Sequence, residues 1–229
     1  MKVPGVLGGL GPQTTADYYL RVQQLVQERN LPARPPMLTW SVPLPYDLEN
    51  ESIFDGTGFE EIGTYLIEGA RRLERAGADF VVMPCNSLHI CAGQIIESIK
   101  IPFVSIVDES VRYVDDHSFH NLALLATQQT VERGLYTNPL REAGVNVLLP
   151  SYEQQRGLNE SVVRLINGKQ TEIDAIGFQA VLDSLVDRGA ELVLLACTDF
   201  HILFNEECVI PHIDTMEVLA QTTVRLMNS

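Results

Sequence analysis

The chain has 229 residues, 45% of them hydrophobic and 20% charged, an ordinary composition for one large globular domain or two small ones. Sixteen Lys and Arg stand against 30 Asp and Glu, a formal net charge of −14; nucleic acid and anionic membranes, which are held by clustered cations, are excluded as expected partners. No segment approaches the about 18 unbroken apolar residues of a membrane span, and the opening run Met1 to Gly9 is too short and glycine-rich for a secretory signal, so the cytoplasm is the expected compartment.

The predicted elements alternate from the start. Residues 3–7 read as a buried strand, 14–29 as a helix and 37–42 as a second strand. The proline-dense stretch 32–45 reads as helix exit, strand and loop, because a flexible linker would be richer in Gly and Ser. A helix is predicted over 59–76, then strands over 80–83 and 103–107. The second half continues with a strand at 122–126, a helix at 132–143 and a strand at 145–149. Helices at 159–166 and 172–188, a strand at 192–196, a short strand at 212–213 and a helix at 215–227 complete the order. Continuous apolar strands alternating with amphipathic helices predict an α/β protein with mostly parallel sheet.

An internal repeat organises this pattern. Ala76-Gly-Ala-Asp-Phe-Val-Val-Met-Pro-Cys-Asn-Ser-Leu-His89 aligns without a gap on Arg188-Gly-Ala-Glu-Leu-Val-Leu-Leu-Ala-Cys-Thr-Asp-Phe-His201, at an offset of 112 residues. Gly77 falls on Gly189, Asp79 on Glu191, Cys85 on Cys197 and His89 on His201. Downstream, Ile101-Pro102 followed by an acidic helix start at Asp108 matches Ile210-Pro211 followed by Asp214. Upstream, Leu7 to Thr14 loosely matches Leu125 to Thr130. An offset of half the chain means duplicated domains. Two pseudo-symmetric α/β lobes are expected, residues 1–107 and 118–213, each a mostly parallel sheet flanked by helices. A C-terminal helix at about 214–229 is expected to pack back on the first lobe, and the active site to occupy the cleft between lobes.

The repeat places Cys85 and Cys197 at the C-terminal ends of strands, where parallel α/β sheets bind their ligands. Two thiols on opposite sides of one molecule suit a two-base reaction, in which one removes a proton from carbon and the other donates one to the opposite face. A thiol has a pKa of about 8.5, lowered at helix N-termini, and a group poised near neutrality can serve in both directions. Asn86 and Ser87 after the first cysteine, and Thr198 after the second, supply donors for a carboxylate and for the enolate-like charge that develops on it. In so acidic a chain, such local amides and hydroxyls must capture any anionic substrate.

Other readings stand beside these. A single cysteine at a strand end is ordinarily a small buried hydrophobe, and Cys91 and Cys208 are read that way. His89 and His201 either orient the helix after each cysteine or assist the thiolate. Asp199 orients His201, accepts from a substrate ammonium, or is a first-turn acid matched to a helix dipole. Thr127 and Thr130 bind carboxylate or cap a helix. No metal is expected: Cys85, His89 and Cys91 imitate half a site, without a fourth ligand or a C-x-x-C pair. Gly8, Gly9 and Gly11 form a turn that allows close backbone approach, but neither a dinucleotide fingerprint nor a phosphate-binding loop is present.

Gly8-Gly-Leu-Gly-Pro12, Met83-Pro-Cys-Asn-Ser-Leu-His89, Leu124-Leu-Ala-Thr127 and Ala196-Cys-Thr-Asp199 together resemble the aspartate/glutamate racemase family, closest to its aspartate racemase branch. The resemblance covers the whole chain. It implies amino-acid racemisation without pyridoxal phosphate or another cofactor, a homodimer, and an amino-acid substrate. Cys85 and Cys197 are implied as catalytic, with Leu10, Gly11, Asn86, Ser87, Thr127 and Thr198 binding substrate. The sequence departs from the aspartate branch, where basic residues grip the side-chain carboxylate. Pro43 to Glu49 contains no Lys or Arg, and Arg164 in Ser161 to Asn167 is out of register. Aspartate is the leading substrate expectation, with glutamate or a neutral amino acid as alternatives. A diacid cis–trans isomerase, a hydantoin racemase or a decarboxylase would use one cysteine as nucleophile, and a non-catalytic amino-acid-binding module would need neither thiol.

Overall fold

Pro4–Gly8 forms strand β1, buried along its whole length, as a central strand covered on both faces must be. In the computed structural model, which describes residues 1–117, 119–204 and 210–229, β1 lies between β2 (Leu38–Ser41) and β3 (Phe80–Val82). Strand β4 (Phe103–Val104) pairs outside β3, and every pairing is parallel. The second sheet repeats this order. Strand β5 (Asn121–Ala126) lies between β6 (Asn146–Leu148) and β7 (Leu192–Ala196), with β8 (His212–Asp214) outside β7. The order β2-β1-β3-β4 maps onto β6-β5-β7-β8 element for element, as duplication requires.

Helices α1 (Pro12–Glu28), α2 (Tyr46–Phe54), α3 (Phe59–Arg75), α4 (Ala92–Ser98) and α5 (Ile106–Asp116) accompany the first sheet. Helices α6 (Gln128–Glu132), α7 (Thr137–Glu142), α8 (Tyr152–Ile166) and α9 (Glu172–Asp187) accompany the second, and α10 (Thr215–Met227) ends the order. Ile62, Leu66 and Leu73 of α3 pack on Leu7, Val81 and Met83 in one core. Phe178, Leu182 and Leu185 of α9 pack on Leu125, Val193 and Leu195 in the other. Each such side chain contributes roughly 1.5–3 kcal/mol on burial.

The chain divides into two compact units, residues 1–110 with 216–229, and residues 111–215. Helix α10 is fastened to the first by the Tyr18 hydroxyl on Thr223 at 2.5 Å and by Arg21 forking onto Glu217 at 2.6 and 2.8 Å. Thr222 also donates to Glu109 at 2.7 Å.

The repeat's strand entrances are built alike. Gly77 and Gly189 take φ of +94° and +93°, the left-handed conformation that ends a helix and favours glycine. The following amides, of Ala78 and Ala190, donate back to the Leu73 and Leu185 carbonyls, 3.1 Å each. The Asp79 carboxylate then accepts the Val3 amide at 2.6 Å. Glu191, its repeat mate, accepts the His120 and Asn121 amides at 3.1 Å each.

Several boundaries differ from the sequence reading. The strand expected over 103–107 ends at Val104. Ser105 accepts the Asp108 amide on its hydroxyl at 3.1 Å, so α5 starts at Ile106. The helix expected over 132–143 is two helices, parted at Gly134 with φ +69°. The helix expected from 159 begins at Tyr152, because Ser151 and Gln154 form a capping box, a start signal seven residues earlier. Helices α2 and α4 were not anticipated. Cys208 lies outside the described residues. Among those described, no helix is long and apolar enough to cross a membrane.

Candidate active site

Cys85 follows the C-terminal end of β3. Its amide donates to the Met83 carbonyl at 2.9 Å, and its half-buried Sγ lies 3.8 Å from the Ser87 hydroxyl. Ser87–Cys91 makes a short 3-10 turn, and Asn86, buried, stands at its start. His89 is 5% exposed and pinned at both ring nitrogens. A carbonyl can only accept, so Nδ1 donates to the Cys85 oxygen at 2.7 Å. An amide can only donate, so Nε2 accepts from Ile106 N at 3.2 Å. Its ring tilts against Phe103, 5.4 Å between centroids. Burial pushes the His89 pKa down to about 4, so the ring is neutral at pH 7 and its single proton is committed to a carbonyl. Both ring nitrogens are thus engaged by backbone groups.

Cys197 directly follows β7 and is buried. Its Sγ donates to the Asp199 carboxylate at 4.0 Å. Thr198 is buried beside it. His201 hydrogen-bonds the Thr198 carbonyl at 2.6 Å, so the repeat-related histidine engages the residue after the thiol, whereas His89 engages the thiol's own residue.

At the end of β5, Thr127 is the N-cap of α6 and accepts from Thr130 N, with 2.9 Å between the two hydroxyls. A polar bracket left out of the sequence reading surrounds it. Gln155 donates to the Ala126 carbonyl at 2.9 Å, and Asn159 both accepts from the Gln128 amide at 3.1 Å and donates to its side chain at 2.7 Å. The available signal was an amide pair spaced i,i+4 on one helix face. At the end of β1, Leu10 is buried and Gly11 precedes α1. Gly9 has φ +83°; its amide donates to the Thr15 hydroxyl at 2.9 Å, which itself donates to the Gly11 carbonyl at 3.0 Å.

Arg164 is occupied elsewhere. Its guanidinium grips the buried Asp174 carboxylate at 2.6 and 2.7 Å, and Asp174 also accepts from Ser161 at 2.8 Å and from the Thr171 amide at 2.8 Å. The Arg164 hydrogen bond, ahead of the others, holds the Asp174 pKa far below the carboxylate range. The Cys91 thiol donates to the Phe59 carbonyl at 3.4 Å. Among the described residues, no three His, Cys, Asp or Glu side chains cluster as metal ligands would.

Two equivalent sheets thus each present one thiol at the C-terminal end of a strand flanked by the sheet's central strand. The model of the Asp/Glu/Hydantoin racemase family matches residues 7–223. The chain belongs to that family. Membership makes it an isomerase, an amino-acid racemase. A broad specificity amino-acid racemase, RacX, from Bacillus subtilis (strain 168) is 27% identical over 225 residues, covering 96% of each chain. The fold is shared with the Picrophilus torridus aspartate racemase, at TM-score 0.81 and 24% identity over 100% of this chain and 95% of that one. It is shared also with an aspartate racemase homologue from Pyrococcus horikoshii OT3, at TM-score 0.80 and 24% identity with both chains fully covered.

Proposed function

We propose that the protein interconverts the L and D forms of a free amino acid at Cα, with Cys85 and Cys197 as the two bases and no cofactor. The observation that carries this reading is the repeat-related placement of the two thiols after β3 and β7 of two equivalent sheets. One thiolate takes the Cα proton, and the electron pair passes into the substrate carboxylate as an enolate-like dianion. The other thiol then gives its proton to the opposite face of Cα. The stereocentre is inverted, and the enzyme is left with its two sulfur protonation states exchanged. A turnover in the reverse direction, or proton exchange with water, resets them. Asn86, Ser87, Thr127 and Thr198, with the amides around Leu10 and Gly11, hold the carboxylate and the developing charge.

Aspartate is the substrate favoured by the sequence resemblance. The Bacillus subtilis relative is named for broad specificity, and the loop Val42 to Pro45 after β2 contributes no Lys or Arg. The assay panel therefore runs from aspartate and glutamate to neutral amino acids and hydantoins. Purified protein in D2O, without added pyridoxal phosphate, is expected to racemise at least one panel member and to place solvent deuterium at Cα of the inverted product. Full two-way activity in both Cys85→Ala and Cys197→Ala sinks the mechanism.

A further inference from the structure

We propose that His89 is a positioning residue for Cys85, working as a fixed neutral tautomer that clamps the Cys85 carbonyl to the first turn of α5. The inference rests on Cys85 being one of the two bases. It starts from the connectivity of one ring. Nδ1–H holds the Cys85 oxygen at 2.7 Å. Nε2 takes the Ile106 amide at 3.2 Å, one of the donors a helix start leaves without an intrahelical partner. The ring itself is walled by Phe103. A histidine with both nitrogens engaged in opposite senses has one allowed tautomer and one allowed orientation. It therefore fixes the peptide that carries the thiol relative to β4 and α5, the next strand–helix unit of the same sheet.

This separates two kinds of histidine function. A proton-relaying histidine needs a free nitrogen aimed at the thiol or substrate. His89 spends its only proton on backbone and its only lone pair on backbone. Its contribution reaches the reaction through the direction of the Cys85 Cα–Cβ bond. Displacing a reacting group by about 1 Å can cost on the order of 100-fold in rate, so a clamp on the neighbouring carbonyl is enough to matter. At the second corner His201 hydrogen-bonds the Thr198 carbonyl, one residue past Cys197.

The two halves of the clamp can be cut one at a time. Asparagine places its amide nitrogen near the Nδ1 position and cannot reach Ile106. Glutamine places its oxygen near the Nε2 position and surrenders the bond to Cys85. His89→Asn orphans the Ile106 amide and frees the Cys85 peptide from α5, so it is expected to lose stability and roughly 10- to 100-fold in kcat. His89→Gln is expected to lose roughly 10- to 100-fold in kcat with KM changed less than about threefold. In parallel, the iodoacetamide reaction rate of Cys85, read by peptide mass mapping, should depart from wild type by more than about threefold in both variants. The rate at Cys197 serves as the internal reference. Loss of turnover with one limb of the pH–rate profile gone overturns the proposal in favour of an acid–base role. Wild-type turnover and alkylation in both overturns it in favour of no role.

Should either variant fail to fold, 15N chemical shifts of the wild-type ring at pH 7 decide. A protonated Nδ1 with an unprotonated Nε2 is expected, and an imidazolium or the opposite tautomer refutes the clamp. The alkylation and shift measurements need no turnover. A protein that racemises nothing would therefore defeat the proposed function while leaving the clamp to be judged separately.

Discussion

The two thiol corners are copies in backbone and differ in what surrounds the sulfur. Both enter from a helix ended by a left-handed glycine, Gly77 or Gly189, and both latch an acid, Asp79 or Glu191, onto amides at the start of the neighbouring central strand. At the exit they part. The first corner leaves Cys85 half-buried beside a hydroxyl, with its carbonyl clamped by His89. The second buries Cys197 against the Asp199 carboxylate and leaves His201 on the next peptide. What the duplication keeps is the machinery that brings a sulfur to the sheet's C-terminal edge. What it lets drift is the immediate environment of the sulfur.

The comparison is broken most severely at the sulfurs. Cys85→Ala and Cys197→Ala are each expected to lower two-way racemisation by about 1,000-fold or more, measured by chiral chromatography. Equivalent losses from both say that the repeat's symmetry is functional, whereas a loss from one alone says that only one copy works.

Next in size is a difference in the helix layers. Ile62 and Asp174 occupy the same repeat position on α3 and α9, and both are buried. In the second unit, an apolar contact has been replaced by an ion pair with Arg164. Asp174→Ala strips partners from Arg164, Ser161 and the Thr171 amide, and is expected to cost about 3–5 kcal/mol. The midpoint of thermal unfolding should fall by roughly 10 °C.

The clamp adds a pH dependence to the first corner. The folded pKa of His89, about 4, lies below the ordinary value of about 6.5. The unfolded chain therefore binds a proton that the folded one refuses as pH falls through 6.5. The stabilisation is complete above pH 6.5 and is lost progressively toward pH 4, by up to about 3 kcal/mol. Denaturant titrations between pH 7 and 4.5 should show this slope in wild type and a shallower one in His89→Asn. Asp174, also depressed, contributes a loss at lower pH, below the ordinary carboxylate range.

The smallest effect tests the shared entrance. Gly77→Ala and Gly189→Ala meet no atom within 4 Å of the new Cβ, so only backbone strain is paid, about 1–2 kcal/mol in each. Equal shifts in midpoint confirm that the entrances are equivalent, and unequal shifts locate where the copies have diverged.

Much of this was legible in the sequence, for identifiable reasons. The strands 3–7, 80–83, 122–126 and 192–196 are apolar runs flanked by glycine or acid stops, and each lies within a residue or two of its observed strand. The gapless repeat announced two equivalent thiols before any fold was known. The motifs around Gly8, Cys85, Thr127 and Cys197 pointed to the racemase family to which the chain belongs. What escaped was set by contacts rather than pattern. Helix α5 starts behind Ser105, whose hydroxyl accepts the Asp108 amide, but the second partner of its first turn is a histidine 17 positions before Ile106, and no local window contains it. Helix α4, Ala92–Ser98, follows a 3-10 turn in a stretch too short for a helical period. Arg164 looked like a misaligned substrate cation until its partner ten residues on, Asp174, was seen to claim it.

The first unit is interrupted in the chain: its last helix is written after the whole of the second. Tyr18, Arg21 and Glu109 find Thr223, Glu217 and Thr222 only on α10. On the ribosome, where domains ordinarily mature in the order they emerge, residues 111–215 are fully synthesised before those three side chains can meet their mates. The half that is translated first is therefore the half that finishes assembling last, and until then it waits with an open seam.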